Sequence, residues 1–227
     1  FSPVSRIGSG EYEIGSPLSL SAYDDNLSIG TSSSVLYLDK SDGVVKQVEG
    51  IGNTQVFDLE ADGNQMLSTG VGIYEIKGRE AKTIPGTDAL QSLRIIKSKF
   101  HPSYLFASGG FGITVMRREK AANGEYNYEI VGSINGVDRS VYSLAENAEG
   151  ELWGGTQAGI LFRVIFQKTA SGNLDVANAS VQEYGEKDGV RGLSGLAAGP
   201  IEGKVYTYKR ISHEHNLKHG FNKANYI

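Results

Sequence analysis

The feature that most constrains this chain is a repeated group of short apolar runs separated by glycine-containing turns. The clearest copy is VYSLAENAEGELWGGTQAGILFRV, which occupies residues 141–164. It contains an apolar first run, an acidic turn that ends at Gly150, a second run that begins at Leu152, and a third run at 160–164. Short runs bounded by glycine turns are typical of β-strands joined as hairpins. The sequence therefore predicts a chain built from repeated β-hairpin units.

Weaker copies of the second run recur along the chain. The equivalent apolar residues lie at intervals of 39, 39, 47 and 53 residues and are Leu27, Met66, Leu105, Leu152 and Val205. One four-stranded blade of a β-propeller occupies about 40–50 residues. The spacing predicts an all-β fold, a β-propeller with about five four-stranded blades or parts of blades. The longest interval indicates an insertion, and an elongated hairpin loop is predicted at 170–181.

The whole chain is assigned to one domain of this type. Its approximate blade units are 16–50, 54–85, 92–133, 140–185 and, as a partial unit, 192–227. The outer strands of the first four units are predicted at 44–49, 82–84, 126–132 and 181–184. Turns rich in Asp, Asn and Gly separate the strands, because these residues accept the left-handed backbone conformation at low cost.

Composition limits the chemistry that this chain can support. Of its 227 residues, 39% are hydrophobic and 21% charged, as in folded globular proteins, and 30 Gly against 5 Pro favour tight reversals. The formal net charge is -4 and the Lys and Arg residues are scattered. Nucleic acid is not expected as a partner, because no basic stripe is present to bind phosphates. The absence of Cys excludes disulfides, thiolate catalysis and cysteine-based zinc sites.

No membrane-spanning segment is expected in this chain. No apolar run approaches the roughly 18 residues that a membrane-spanning helix needs. The chain begins at Phe1, without an initiator Met or a charged leader followed by an apolar run. It is expected to be either a processed protein or, as the incomplete set of repeats favours, a piece of a longer one.

The fourth unit resembles the two-component regulator propeller repeat. The residues that carry the resemblance are Gly150, Leu152, Trp153, Gly155, Thr156 and Gly159, and segment 183–206 is similar to the element that follows in that repeat. The resemblance implies a periplasmic or extracellular sensor domain of a bacterial signalling protein. In such proteins, seven-bladed propellers precede a membrane span and a cytoplasmic kinase or cyclase. Because five incomplete units cannot close a seven-bladed ring, this chain is expected to be an arc of a larger propeller.

Trp153 is the only Trp in the sequence, and two roles are considered for it. On a central strand its large side chain would fill the space between neighbouring sheets, and otherwise a ligand would stack on it. The core position is favoured. Gly154, Gly155 and Thr156 are predicted to form a tight corner in which the Thr hydroxyl binds backbone. The segment GTSSS at 30–34 lacks the Gly-Lys-Ser ending of a phosphate-binding loop and is also predicted to be a turn.

Three His near the C-terminus form the one pattern that suggests a metal site. His213, His215 and His219, with a carboxylate between the first two, could reach one zinc ion from a loop or a strand. The helical metalloprotease pattern needs a second His four residues after the first, and a Leu stands there. A solvated tail is favoured, and no metal or other cofactor is expected. The fourth His, His101, precedes a Pro in a predicted turn.

Pairs of carboxylates are considered because glycosidases use them. The candidate sets are Asp24 with Asp25, Asp58 with Glu60 and Asp62, and Glu146 with Glu149 and Glu151. Each set lies in or beside a predicted hairpin turn, where acidic residues favour turn formation and solubility. The segment RGLSG at 191–195 lacks the glycine spacing of a serine-nucleophile turn. No catalytic residue is assigned, and the chain is expected not to be an enzyme.

A mixed group of basic and aromatic residues could bind an anionic or sugar-like ligand at the mouth of a propeller. It comprises Arg117, Arg118, Lys120, Arg139, Tyr126 and Tyr128, and solvated hairpin ends are the favoured interpretation. The predicted function is a non-catalytic sensor that binds a small molecule or an oligosaccharide. A second copy of the chain or another protein is also left open as a partner. The alternatives are a propeller-fold enzyme acting on carbohydrate, such as a lyase or glycosidase, and a scaffold for protein complexes.

Overall fold

The computed structural model describes residues 15–39, 41–190, 196–201, 204–209 and 225–226, with side chains described up to residue 190. These residues form 19 strands and one three-residue 3-10 helix, Glu186–Asp188. The all-β prediction is therefore confirmed. In this part of the chain, no helix is long and apolar enough to cross a membrane.

Consecutive strands pair into four four-stranded sheets and one three-stranded sheet. The first sheet contains β1 Pro17–Tyr23, β2 Asn26–Thr31, β3 Val35–Asp39 and β4 Val44–Gln47. The second sheet contains β5 Leu59–Asp62, β6 Gln65–Thr69, β7 Ile73–Lys77 and β8 Glu80–Thr83. The third contains β9 Ser92–Lys97, β10 Tyr104–Gly109, β11 Gly112–Lys120 and β12 Tyr126–Ser133. The fourth contains β13 Val141–Glu146, β14 Leu152–Thr156, β15 Leu161–Lys168 and β16 Leu174–Tyr184, and the fifth contains β17 Leu196–Ile201, β18 Lys204–Lys209 and β19 Asn225–Tyr226.

Turn residues fix the register of the hairpins. Tyr23 pairs with Asn26 across the two-residue turn Asp24-Asp25, whose φ angles are 50° and 56°. Two left-handed residues in succession give a hairpin turn whose twist matches that of the flanking strands, and Asp tolerates this conformation. In the fourth sheet, Gly150 has a φ of 80°, and a Cβ there would lie 3.1 Å from the Phe100 side chain. Glycine is therefore needed at this turn for both conformation and space.

Each of the two compact units of the chain has its own core. One unit consists of residues up to 95 together with 119–128, and the other consists of 96–118 together with the residues from 129 onward. In the first unit, Val35 of the first sheet packs in one cluster with Met66 and Ile76 of the second. In the second unit, the third and fourth sheets share a cluster that includes Phe106, Val115, Leu152 and Phe162, each at most 1% exposed. In both units, apolar side chains fill the space between successive sheets.

Two local predictions are wrong. Most of the predicted loop at 170–181 belongs to β16, which begins at Leu174 rather than near 181. Leu174 and Val176 are only 4% and 6% exposed, so this polar segment uses alternate apolar residues to join the core as a strand. Gly154 and Gly155 lie within β14 and not in a corner. A side chain at Gly154 would meet Val141 at 3.0 Å, which explains why the strand carries glycine there.

Candidate ligand-binding site

A cavity of about 470 Å³ lies in the first unit, at the edge where β5 and β9 begin. Three segments form it: the connection that leads into β5, the turn between β6 and β7, and the start of β9. The residues that line it are Asn53, Thr54, Gln55, Phe57, Gly70, Val71, Gln91, Ser92 and Leu93. Ligand pockets have volumes of about 300–1,000 Å³, so this cavity is large enough for a small ligand.

One side-chain and one backbone hydrogen bond hold the three segments together. The Thr54 hydroxyl accepts a hydrogen bond from the Val71 amide at 3.2 Å, and the Val71 carbonyl accepts one from the Gln91 amide at 2.8 Å. A side chain at Gly70 would approach Thr54 to 3.1 Å, so glycine allows the turn to pack closely on the first segment. Thr54 is 8% exposed and Ser92 only 1%, and these two residues belong to the buried part of the lining. The cavity is therefore formed by fixed backbone.

Gln91 has an unusual backbone conformation for its residue type. Its φ is 46°, and the other described non-glycine residues with positive φ are Asp24 and Asp25, which form a hairpin turn. Left-handed conformations are rare outside Gly, Asn and Asp because Cβ clashes with the following carbonyl. The hydrogen bond from Gln91 to Val71 holds the strained residue in place. Strained residues of this kind cluster at functional sites.

The lining of the cavity is uncharged and carries unused hydrogen-bonding groups. None of its nine residues is ionisable. Within the described residues, the side-chain carboxamides of Asn53, Gln55 and Gln91 make no hydrogen bond, and all three residues are exposed. Each carboxamide offers two N–H donors and one oxygen acceptor. Phe57 and Val71 add apolar surface, being 39% and 52% exposed. The site combines hydrogen-bonding edges with apolar walls.

The nearest charges in the sequence neutralise each other. Asp58 follows Phe57 directly and is 7% exposed. Its carboxylate accepts hydrogen bonds from the Arg94 guanidinium at 3.1 Å and from the Ile95 amide at 2.9 Å. Burial raises the pKa of Asp58, and the charge of Arg94 offsets part of that rise. Asp58 is thus bound between the second sheet and β9 and does not line the cavity.

Two further candidate carboxylates are also bonded within the fold. Glu146 accepts hydrogen bonds from the Ser98 hydroxyl at 2.6 Å and the Lys99 amide at 2.7 Å. Asp62 accepts one from the Tyr128 hydroxyl at 3.0 Å. Asp24 and Asp25 form the β1–β2 turn, Glu149 is exposed, and Glu60 lies on β5. No group of three His, Asp or Glu side chains that could hold a metal occurs in the described part of the chain.

Trp153 lies in the core of the second unit. It is 6% exposed and packs with Leu161, Val190 and Tyr184, whose ring centroid lies 5.6 Å from its own. The Arg163 guanidinium lies 5.9 Å from the Trp153 ring centroid and forms a two-point ion pair with Glu151. Arg163 lowers the pKa of Glu151. These contacts place Trp153 and Glu151 in one network, and the burial of Trp153 agrees with the core position rather than with a ligand-stacking role.

The Thr residues of two repeats close hairpins. The Thr156 hydroxyl donates to the Ile160 carbonyl and accepts from the Ile160 amide, both at 3.1 Å. Gly159, with a φ of 77°, lies inside this turn. In GTSSS at 30–34, the Thr31 hydroxyl donates to the Ser34 carbonyl at 2.9 Å and accepts from the Ser34 amide at 3.0 Å. In both segments the Thr is the last residue of its strand, the turn follows directly, and the Thr hydroxyl is bound to backbone.

The structure does not collect the predicted basic and aromatic group in one unit. Arg117, Arg118 and Arg139 belong to the second unit, and Lys120, Tyr126 and Tyr128 belong to the first. The Arg117 side chain pairs with Glu129, and Arg118 donates to the Pro102 carbonyl at 2.8 Å.

The His residues contribute no described site. His101 packs edge-on against Phe166 with ring centroids 6.5 Å apart, and burial lowers its pKa. His213, His215 and His219, like the segment 191–195, lie outside the described residues.

The residues of the cavity were not identified from the sequence. Acids, imidazoles and bases point to candidate sites in a sequence, whereas Asn53 and Gln91 are uncharged amides in connecting loops that no spacing rule relates. The one sequence signal for this cavity is the position of two of its apolar residues within the repeat. Phe57, Leu93 and Tyr142 stand at equivalent positions near the start of the first strand in their repeats, and each is partly exposed. An exposed apolar residue repeated at one position could have pointed to this edge of the sheets.

Comparison with known proteins identifies the fold. No protein-family model matches the sequence, and no curated protein matches it. Solved structures match over most of the chain. The extracellular domain of a hybrid two-component system from B. thetaiotaomicron has a TM-score of 0.60 at 12% identity, over 83% of this chain and 25% of that one.

Two further solved structures, a propeller domain and a lyase, match at similarly low identity. The WD40 β-propeller domain of Doa1 has a TM-score of 0.55 at 13% identity, over 84% of this chain and 60% of that one. Virginiamycin B lyase from Staphylococcus aureus has a TM-score of 0.54 at 11% identity, over 86% of this chain and 64% of that one. This chain thus spans less than two thirds of each of the three structures. The chain has a β-propeller fold, and identities this low carry no further conclusion.

Proposed function

We propose that this chain is a non-catalytic ligand-binding module, the sensor part of a bacterial signalling protein that faces the periplasm or the cell exterior. Its ligand is a small molecule or an oligosaccharide. The β-propeller fold supports this proposal, because propellers present loops at the edges of rigid sheets for recognition. The similarity of the fourth unit to the two-component regulator repeat and the likeness to an extracellular domain of a two-component system point the same way.

One observation carries the proposal: the cavity of the first unit has recognition chemistry and lacks reactive groups. Its lining offers carboxamides and apolar side chains and contains no acid, base or nucleophilic pair. A glycosidase would need two carboxyl groups on opposite sides of the scissile bond. Asp58, Glu146 and Glu151 are instead bonded to neighbouring strands. This favours binding over catalysis.

In this proposal the signal passes to the rest of the protein as a change in association or orientation. Closely packed sheets deform little, since interiors of this kind have few voids and low compressibility. Ligand binding at the edge of the sheets would therefore alter what the loops contact, and leave the arrangement of strands within each sheet unchanged.

A screen that records both binding and turnover tests the proposal. The purified chain is heated with a panel of oligosaccharides and small metabolites, and each supernatant is analysed by chromatography. A true ligand raises the unfolding temperature, because saturation at a hundred times the dissociation constant stabilises the native state by about 2.7 kcal/mol. The proposal expects such a ligand to be recovered intact. Time-dependent appearance of a product, in proportion to protein concentration, would show that the chain is an enzyme.

A further inference from the structure

We infer that the cavity of the first unit selects uncharged, hydroxyl-bearing rings of the sugar class over charged ones, and that Gln91 is the residue whose carboxamide positions them. The inference rests on the proposed binding function and adds the ligand class, the place of binding and a selectivity residue. Four features of the cavity lead to it.

The first feature is the electrical neutrality of the lining. No Lys, Arg, Asp or Glu lines the cavity, and the adjacent Asp58 and Arg94 are paired with each other. A carboxylate or sulfate group on a ligand would lose part of its hydration on entry and would find no opposite charge in exchange. Burying a charge without a partner is far more costly than burying a hydroxyl that forms a hydrogen bond. The site therefore disfavours uronic acids and sulfated sugars.

The second feature is the supply of hydrogen-bonding groups. Asn53, Gln55 and Gln91 bring three carboxamides to one opening, and none of them is bonded to the described protein. A sugar hydroxyl is both a donor and an acceptor, and a carboxamide can satisfy both at once. A ligand with several hydroxyls on one ring would use these groups together. An apolar ligand would leave them without partners.

The third feature is the apolar wall. Phe57, Val71 and Leu93 line the same cavity as the carboxamides, and Phe57 exposes 39% of its surface. A sugar ring has one face made of C–H groups, which packs against an aromatic ring while the hydroxyls at its edge reach polar side chains. Pockets that combine apolar walls with a few placed polar groups are typical of small-ligand sites. The two kinds of surface in this cavity match the two kinds of surface on such a ring.

The fourth feature is the strain at Gln91. With a φ of 46°, this position would suit Gly better than any residue with a Cβ. The backbone hydrogen bond from Gln91 to Val71 uses only the main chain, so Gly would keep it. A Gln at such a position adds strain, and its side chain makes no hydrogen bond within the described residues. The carboxamide of this cavity-lining residue is the feature that Gly could not supply.

Titration calorimetry with matched saccharides tests the inference. The chain is titrated with neutral oligosaccharides and with uronic-acid oligosaccharides of equal length, and the variants Gln91→Gly and Gln55→Ala are titrated in parallel. We expect binding of a neutral oligosaccharide and at least tenfold weaker binding of its charged counterpart. Gln91→Gly should have an unfolding temperature equal to or above that of the wild type and about tenfold weaker affinity, the scale of one lost hydrogen bond. Gln55→Ala, which replaces an exposed side chain, provides a second test should the first variant fold poorly.

Asp25→Gly is the matched control. It also places Gly at a left-handed position, in the β1–β2 turn, and Asp25 does not line the cavity. It should be at least as stable as the wild type and should bind the saccharide with unchanged affinity.

The outcomes separate this inference from the proposed function. Equal or tighter binding of the charged saccharide would overturn the inference, and so would neutral binding that neither Gln91→Gly nor Gln55→Ala weakens. In both cases the binding function would stand. Failure of all saccharides while another small molecule binds would also overturn the inference alone. Cleavage of a saccharide would overturn the proposed function itself.

Discussion

At the scale of single residues, Gln65 shows how one uncharged side chain can protect the edge of a sheet. Gln65 is fully buried on β6. Its carboxamide nitrogen donates to the Tyr126 carbonyl at 2.8 Å, and its oxygen accepts the Tyr126 amide. A neighbouring strand would make the same pair of bonds. Since β12 is the edge strand of its sheet, Gln65 satisfies backbone groups that an edge otherwise exposes for pairing with another chain.

Replacement of Gln65 by Met should therefore lower the stability of the protein. Met fills a similar volume and cannot bond to Tyr126, so the loss of these hydrogen bonds should reduce the free energy of unfolding by about 1–3 kcal/mol. Urea unfolding followed by circular dichroism measures the change. The control is Gln47→Met on β4, where the residue is exposed and its side-chain carboxamide makes no hydrogen bond within the described residues. It should stay within about 0.5 kcal/mol of the wild type. Equal stability of all three proteins would contradict this role for Gln65.

At the scale of elements, a local irregularity recurs at the start of the first strand of two repeats. The pairing register shifts between Pro17 and Ser19 in β1 and between Val141 and Ser143 in β13. A β-bulge turns the extra side chain away from its usual direction. The residues concerned, Leu18 and Tyr142, are 41% and 45% exposed. These two repeats therefore share a bulge that presents an apolar side chain to solvent at the start of the first strand.

The hairpin turns allow a direct separation of backbone strain from crowding. Gly150 and Gly172 have nearly equal φ angles of 80° and 82°, but a Cβ would meet Phe100 at 3.1 Å in the first and nothing within 4 Å in the second. Both Ala variants should carry a similar strain of roughly 1–2 kcal/mol. Gly150→Ala should lose about 1–3 kcal/mol more, from overpacking against Phe100. Chemical unfolding of the two variants measures the difference, and an identical loss would refute the crowding argument.

The sequence was sufficient to predict a hairpin where its turn residues specify it. It was insufficient where contacts between distant residues specify the strand. The Asp24-Asp25 turn and the Gly150 turn use residues that accept left-handed backbone, and both were predicted. The start of β16 was missed because small polar residues surround Leu174 and Val176. That strand is held by burial of these two side chains and by the Tyr104 hydroxyl, which accepts the Leu174 amide at 3.1 Å. Residues this far apart in the sequence give no local signal that they will be in contact.

At the scale of the whole molecule, the repeat period was sufficient to predict the architecture and insufficient to predict the site. Regular spacing of apolar runs arises because each sheet must bury a face against the next, and the pattern therefore recurs in every repeat of the sequence. The cavity is formed by three separate segments, 53–57, 70–71 and 91–93, whose proximity depends on the finished fold. Its amides are ordinary loop residues in the sequence. Asp58 and Glu146 were predicted as turn residues, and the hydrogen bonds that they accept across strands emerged only from the structure.

Charged and uncharged polar side chains thus have different roles in this molecule. The buried carboxylates accept hydrogen bonds from neighbouring segments, and in the proposed function the carboxamides of the cavity-lining residues bind the ligand. The proposed function thus requires above all that the chain bind an intact ligand at the cavity of its first unit.

Hydrogen–deuterium exchange with and without a saturating neutral oligosaccharide tests that claim most directly. The ligand should slow exchange in peptides that cover 53–57, 70–71 and 91–93, leave the turn at 24–26 unchanged, and keep its own mass throughout the incubation. Protection confined to other segments, or a ligand converted to product during the measurement, would contradict the account.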